Sequence, residues 1–125
     1  MDGKRIVPSR EQILASGDAL PQEWVPVPEF GAGCEVLVVG ANAEERVVWY
    51  EKAQVDGKLD LRVAQGMALV IGVKEPKFEE ADIPALLKLS GAAVGRIQDT
   101  WQRLSGLRDD SLLDARKNSS PIPTA

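Results

Sequence analysis

The sequence contains no histidine among its 125 residues and only one cysteine, Cys34. Without histidine the chain lacks the commonest general base, the usual nitrogen ligand for metals, and every Ser-His or Cys-His nucleophile pair. A single cysteine cannot form an intramolecular disulfide, which fits a reducing compartment, and we expect Cys34 to be a small buried residue. From these absences we predict a non-catalytic protein that needs no metal and no cofactor.

Basic residues are too few for a nucleic-acid surface. The net charge is −4: residues 1–60 hold six Lys and Arg against eleven Asp and Glu, and residues 61–125 hold nine against eight. Neither half has the basic footprint of a nucleic-acid binder. The first ten residues lack the apolar run of a signal peptide, and no segment approaches the roughly 20 apolar residues that span a bilayer. We therefore expect no nucleic-acid partner and no membrane association.

The longest apolar concentration lies at residues 59–73. A chain of this length, 44% hydrophobic, suits one domain with its own core. Leu59, Val63 and Met67 recur at the spacing of one helix face, which predicts a buried helix at the centre of the domain. The competing interpretation is a buried strand over residues 67–73, which is rich in β-branched side chains. Length and spacing favour the helix.

A β-hairpin is predicted ahead of this stretch. Residues 24–28 carry alternate prolines, which cannot donate to a ladder, so they form an edge strand at best. Residues 34–39 are the strongest strand pattern in the chain, and residues 29–33 form the connecting turn with two glycines. Because an isolated hairpin is marginal in water, it has to pack on a helix, find a third strand or pair with another subunit.

Capping residues mark the helix starts. Two stretches fit the capping box, in which a side-chain oxygen and a Glu or Gln three residues later satisfy each other's backbone N–H groups. The predicted N-caps are Ser9 with Gln12, Asn42 with Glu45, Asp82 and Ser90. The resulting fold class is α+β, with an N-terminal β-hairpin packed on a mainly helical C-terminal part. We predict an arm at residues 1–8, one domain at 9–107 and a flexible tail at 108–125.

Several short motifs follow one another in a set order along the chain. They are SREQIL at 9–14, VPVPEFG at 25–31, the valine-rich strand at 36–39 before Glu45-Arg46, the segment 61–78 ending in EPKF, DIPALL at 82–87 and LSGL at 104–107. In their order and spacing these motifs resemble the small tail assembly chaperones of long-tailed bacteriophages. The likeness covers roughly residues 7–107. Phe30 stands where such proteins more often carry tryptophan.

The resemblance implies an assembly factor rather than an enzyme. Such chaperones coat the helical tape measure protein, keep it soluble and recruit major tail tube subunits. They act in the host bacterial cytoplasm and are absent from the mature virion. Self-association is compatible with this role, because coating a long client requires many copies. The alternative is a structural phage protein retained in the virion, such as a head–tail connector or tail completion protein.

A helical client requires an apolar groove, for which the second and last predicted helices supply apolar side chains. The strand at residues 34–39 is the better candidate for adding a strand to another protein, since prolines limit the strand before it. The alternative is that these same stripes form the protein's own core. The candidate partner-binding residues are Val36, Val38, Trp49, Tyr50, Val94, Ile97, Trp101 and Leu104.

Overall fold

The computed structural model describes residues 5–107 and has the predicted α+β fold. The predicted tail, residues 108–125, lies outside the described residues, as do residues 1–4. The α-helices are α1 Arg10–Leu14, α2 Ala43–Ala53, α3 Leu61–Gly72, α4 Ile83–Leu86 and α5 Gly91–Leu104. The strands are β1 Gln22–Pro26, β2 Glu35–Val39, β3 Gln54–Val55, β4 Lys58–Leu59 and β5 Val73–Glu75. None of these helices is long and apolar enough to cross a membrane.

The main sheet has three antiparallel strands in the order β1-β2-β5. The predicted hairpin is confirmed, with Gln22 opposite Val39 and Pro26 opposite Glu35. The third strand comes from directly after α3, and its Val73 pairs with Val38. The sequence prediction missed this strand because it is only three residues long and continues the apolar run of the preceding helix.

The apolar stretch at residues 59–73 is mainly helix α3, so the helix interpretation is confirmed over residues 61–72. Asp60 forms the N-cap, and its carboxylate accepts hydrogen bonds from the N–H groups of Arg62 and Val63 at 2.9 and 3.2 Å. The helix starts two residues later than predicted, because residues 54–59 form the short β3–β4 hairpin. Its turn residues Asp56 and Gly57 both have positive φ, 54° and 79°, as a type I′ turn requires.

The core is assembled around α3. Eight of its twelve residues are buried, and it packs against α2, α4 and α5. Trp49 of α2 and Trp101 of α5 meet edge to face, with ring centroids 5.5 Å apart. Gly72 allows this arrangement, because a Cβ at that position would collide with the Trp101 ring. Both tryptophans therefore belong to the central packing of the domain.

Three of the four predicted N-caps make the expected hydrogen bonds. Ser9, Asn42 and Ser90 each accept from the N–H three residues ahead, at 3.0, 2.7 and 3.3 Å. Asp82 precedes α4 as predicted but makes no side-chain cap to it. Its carboxylate instead accepts from the Glu79 N–H at 2.8 Å, because a 3₁₀ turn at residues 80–82 precedes the helix.

Candidate interaction surface

Most of the predicted partner-binding residues lie inside the domain. Tyr50 is exposed and Leu104 is partly buried against the core. The other six have at most 7% of their surface exposed, so they offer little contact area to a partner of the folded chain: Val36, Val38, Trp49, Val94, Ile97 and Trp101. For these six the alternative interpretation, that the stripes form the protein's own core, describes the structure.

Strand β2 was expected to offer an edge to another protein, and this prediction is wrong. Both of its edges are occupied, by β1 on one side and β5 on the other. Val36 and Val38 also point toward the core on the face covered by α5. Any strand addition to the main sheet must therefore use the outer edge of β1 or of β5.

The outer edge of β1 is blocked at one end. The Val27 N–H donates to the Cys34 carbonyl oxygen at 2.8 Å, which sets the alternation of the ladder. The backbone N–H and C=O groups of odd-numbered β1 residues therefore point toward β2, and those of even-numbered residues point toward the outer edge. At Pro26 there is no N–H, and the carbonyl oxygen accepts from the Arg96 guanidinium at 3.0 Å. Only the backbone of Gln22 and Trp24 remains for a pairing strand at this edge.

Cys34 also differs from its prediction, because its side chain is exposed rather than buried. It lies in the turn between β1 and β2, directly before β2 begins. A thiol in a surface turn contributes little to the core, so the apolar character of cysteine did not determine its position here.

Helix α2 carries the clearest apolar groove. Its four consecutive apolar residues, 47–50, extend around the whole helix, so some of them must face away from the core. Trp49 faces inward, while Val47 and Tyr50 are 56% and 60% exposed. These two residues are three apart and therefore lie on one face. The groove has a volume of about 650 Å³ and is lined by Ala43, Arg46, Val47, Trp49, Tyr50, Glu51 and Leu107.

The inner side of the groove is connected to the rest of the domain by one hydrogen bond and two ion pairs. The Trp49 Nε1–H donates to the Ala64 carbonyl oxygen at 2.8 Å, which ties α2 to α3. Two ion pairs at 3.3 Å connect the flanks of α2 to the rest of the domain, one between Glu45 and Lys74 and one between Lys52 and Glu80. The exposed Val47 and Tyr50 are thus presented on a helix that is anchored from behind. The sequence had pointed to three residues of the groove's lining as candidates for a client groove, Val47, Trp49 and Tyr50.

A second apolar surface lies at residues 5–18. These comprise residues 5–8 of the predicted arm together with α1 and the 3₁₀ turn after it, and we call this whole segment the arm. Every residue of the arm is exposed, including those of α1. Its large aliphatic side chains are between 55% and 92% exposed. They are Ile6, Val7, Ile13 and Leu14. This arm contrasts with α3 and α5, whose apolar residues are mainly buried.

Two of the motifs on which the resemblance rests make side-chain hydrogen bonds between elements that are distant in sequence. In the VPVPEFG segment, Glu29 pairs with Arg96 of α5 through two hydrogen bonds of 3.0 and 2.8 Å. Hydrogen bonding from Arg96 lowers the pKa of Glu29 from 4.5 to about 2. In the LSGL segment, the Ser105 hydroxyl accepts from the Ala41 N–H at 2.8 Å, next to the start of α2. These motifs therefore hold α5 to the sheet and to the α2 side of the domain.

Comparison of the chain with protein-family models, with curated proteins and with solved structures found no match. Candidate interaction surfaces are therefore identified from the exposed residues of this chain alone. Within residues 5–107 these include the α2 groove, the arm, the outer edges of the main sheet and a smaller groove between the start of α3 and α4.

Proposed function

We propose that this protein is a phage tail assembly chaperone. It binds helical segments of the tape measure protein, keeps them soluble and recruits tail tube subunits in the host cytoplasm. It leaves before the virion is complete. The proposal rests on the ordered motifs between residues 9 and 107. The structural observation that supports it is the α2 groove, which we take as the client-binding surface.

The α2 groove has the properties that binding of a client helix requires. An amphipathic helix places apolar side chains into a hydrophobic groove at spacings of three and four residues. Val47 and Tyr50 supply apolar contact, and Arg46 and Glu51 in the same lining supply charges of both signs. A tyrosine adds a large apolar ring with a polar tip, which suits a surface that is wet until the client binds.

Co-expression with the tape measure protein tests this proposal directly. The wild-type chain is expected to move the tape measure protein into the soluble fraction. Val47→Asp and Tyr50→Asp are expected to abolish this effect, because each places a charge at the centre of the groove and Tyr50→Asp also removes the aromatic ring. Val55→Asp, which alters an exposed valine outside the groove lining, is the matched control and is expected to behave as wild type.

Two results would contradict the proposal. If the tape measure protein is no more soluble with the wild-type chain than without it, the chaperone function is wrong. If purified virions contain the chain at stoichiometric copy number, it is a structural phage protein retained in the particle, such as a connector or tail completion protein. Mass spectrometry of virions measures the second result.

A further inference from the structure

The last residue that the structure describes, Leu107, belongs to the lining of the α2 groove. Its side chain is buried and packs with the core cluster. Residues 108–125 follow it in the sequence, and we call them the C-terminal segment. This segment begins at the wall of the groove, so its position in the chain makes it a candidate to occupy the groove.

Two contacts fix the direction in which the chain reaches this point. The Leu107 N–H donates to the Gln102 carbonyl oxygen at 2.6 Å, the bond that closes a Schellman motif at the end of α5. Gly106 supplies the left-handed conformation that the motif requires, with φ 76°. The Ser105 hydroxyl accepts from the Ala41 N–H at 2.8 Å, which holds the turn beside the start of α2. The chain is therefore turned toward α2 instead of continuing along the axis of α5.

The sequence of the C-terminal segment predicts a short amphipathic helix near its start. Leu112 and Leu113 are adjacent aliphatic residues. Acidic residues at 109–110 precede them and basic residues at 116–117 follow them, which is the order of charge that the helix dipole favours. Leucines on one side of such a helix are the anchors that enter a hydrophobic groove.

The leucine pair is close enough to Leu107 to reach the middle of α2. Leu112 and Leu113 follow Leu107 by five and six residues, and an extended chain covers at most about 3.3–3.6 Å per residue. The pair can therefore lie up to about 17–22 Å from Leu107. Helix α2 has 11 residues and a length of about 16 Å, so Val47 and Tyr50 are within this range.

We propose that the C-terminal segment docks in the α2 groove of its own molecule, with Leu112 and Leu113 against Val47 and Tyr50. Attachment at Leu107 favours this occupant over a second copy, because a short linker gives an effective concentration of about 1 mM. A contact with a dissociation constant of about 0.1 mM between separate molecules would then be closed about ten times as often as open. A second copy would have to approach millimolar concentration to compete.

One consequence rests on the proposed function, in which the α2 groove also receives helices of the tape measure protein. The docked segment and a client helix then exclude each other. The segment shields the apolar groove from solvent until a client displaces it, and it weakens the apparent affinity for the client by about tenfold, the factor by which it keeps the groove closed.

Alkylation of a thiol placed in the groove tests the contact in the full-length chain. Cys34→Ser removes the exposed native thiol, and Val47→Cys introduces a small apolar thiol into the groove lining. Adding Leu112→Asp and Leu113→Asp is expected to speed alkylation at position 47 by about tenfold, because the groove opens. With both leucines present, the slower rate is expected to be the same at all protein concentrations. Mass spectrometry after timed exposure to iodoacetamide measures these rates.

Val55→Cys in the same Cys34→Ser background is the matched control, because Val55 is an exposed valine outside the groove lining. Its alkylation rate is expected not to respond to the leucine substitutions, and circular dichroism checks that the variants are folded. Equal rates at position 47 with and without the leucines would overturn the proposal, as would an equal acceleration at position 55. Protection at position 47 that grows with protein concentration would identify a second copy as the occupant and overturn it too.

The result is separable from the test of chaperone function. If the thiol at position 47 is protected and the tape measure protein stays insoluble with wild type, the docking of the segment stands and the chaperone proposal falls. If the tape measure protein becomes soluble but the leucines do not affect alkylation, the chaperone proposal stands and the docking falls. When both hold, the chain with Leu112→Asp and Leu113→Asp is expected to bind the client about tenfold more tightly than wild type.

Discussion

Helices α1 and α3 begin with equally good N-caps and end in opposite surroundings. Ser9 caps α1 through a complete capping box, and Asp60 caps α3 with two hydrogen bonds. Every residue of α1 is exposed, whereas eight of the twelve residues of α3 are buried. The caps are local and determine where a helix starts. The long apolar stripe, which α3 has and α1 lacks, determines whether the helix joins the core.

The largest difference between the two helices is expected in the free energy of unfolding when one aliphatic residue of each helix is replaced by aspartate. Val70→Asp places a carboxylate among core residues, with 8% of the wild-type side chain exposed. We expect a loss of more than about 4 kcal/mol in the free energy of unfolding, enough to unfold a domain of ordinary stability.

Leu14→Asp in α1 is the counterpart and is expected to change the free energy of unfolding by less than about 0.5 kcal/mol. Chemical denaturation followed by circular dichroism measures both, at a concentration low enough to keep the chain monomeric. A folded Val70→Asp protein, or a Leu14→Asp protein that is as unstable, would mean that α3 and the arm do not differ in the way their burial indicates.

A smaller difference is expected when the caps are removed. Asn42→Ala takes away the capping-box residue of α2, which packs on α3, and should lower the free energy of unfolding by about 1 kcal/mol. Ser9→Ala removes the same kind of cap from α1 and should leave the free energy of unfolding unchanged, because no residue of α1 is buried in the core. Urea unfolding midpoints compare the two, and equal losses would show that the arm is coupled to the domain.

The smallest expected effect concerns the ion pair between Glu29 and Arg96. The pKa of Glu29 is lowered in the folded chain, so the pair stabilises the fold fully above pH 4.5, and this contribution is lost as the pH falls toward 2. The difference in stability between wild type and Glu29→Gln should therefore shrink over that interval.

Glu11→Gln is the control for Glu29→Gln, because it removes the same charge from the exposed arm. Thermal unfolding measured at several pH values gives both comparisons. A wild-type advantage over Glu29→Gln that stays constant down to pH 2 would contradict a role for the pair in folding stability.

Elements that depend on neighbours in sequence were predictable. The capping boxes at Ser9 and Asn42, the hairpin of β1 and β2, and the helical part of residues 59–73 all follow from spacing and local hydrogen bonding. Strand β5 was not predictable in the same way. It is three residues long, and what makes it a strand is its pairing with β2, more than thirty residues earlier in the chain.

The candidate surface was less predictable than the fold. The stripe of α5 has the regular spacing expected of a binding face, and it is core because the sheet and α3 cover it. Helix α2 looks less amphipathic, because four consecutive apolar residues surround it, yet it presents Val47 and Tyr50 to solvent. A spacing pattern identifies a face but does not say which molecule covers it.

The sequence by itself determined where most helices and the strands β1 and β2 begin, the turn at Asp56-Gly57 and the absence of histidine chemistry, because these depend on residue identity and on contacts within a few positions. Only the tertiary structure decided that β2 is central, that Trp49 and Trp101 meet beside Gly72, and that no element of residues 5–107 covers the arm or the α2 groove. Those outcomes depend on contacts between residues distant in sequence, where each apolar side chain has many competing neighbours and the packing of the whole domain selects among them.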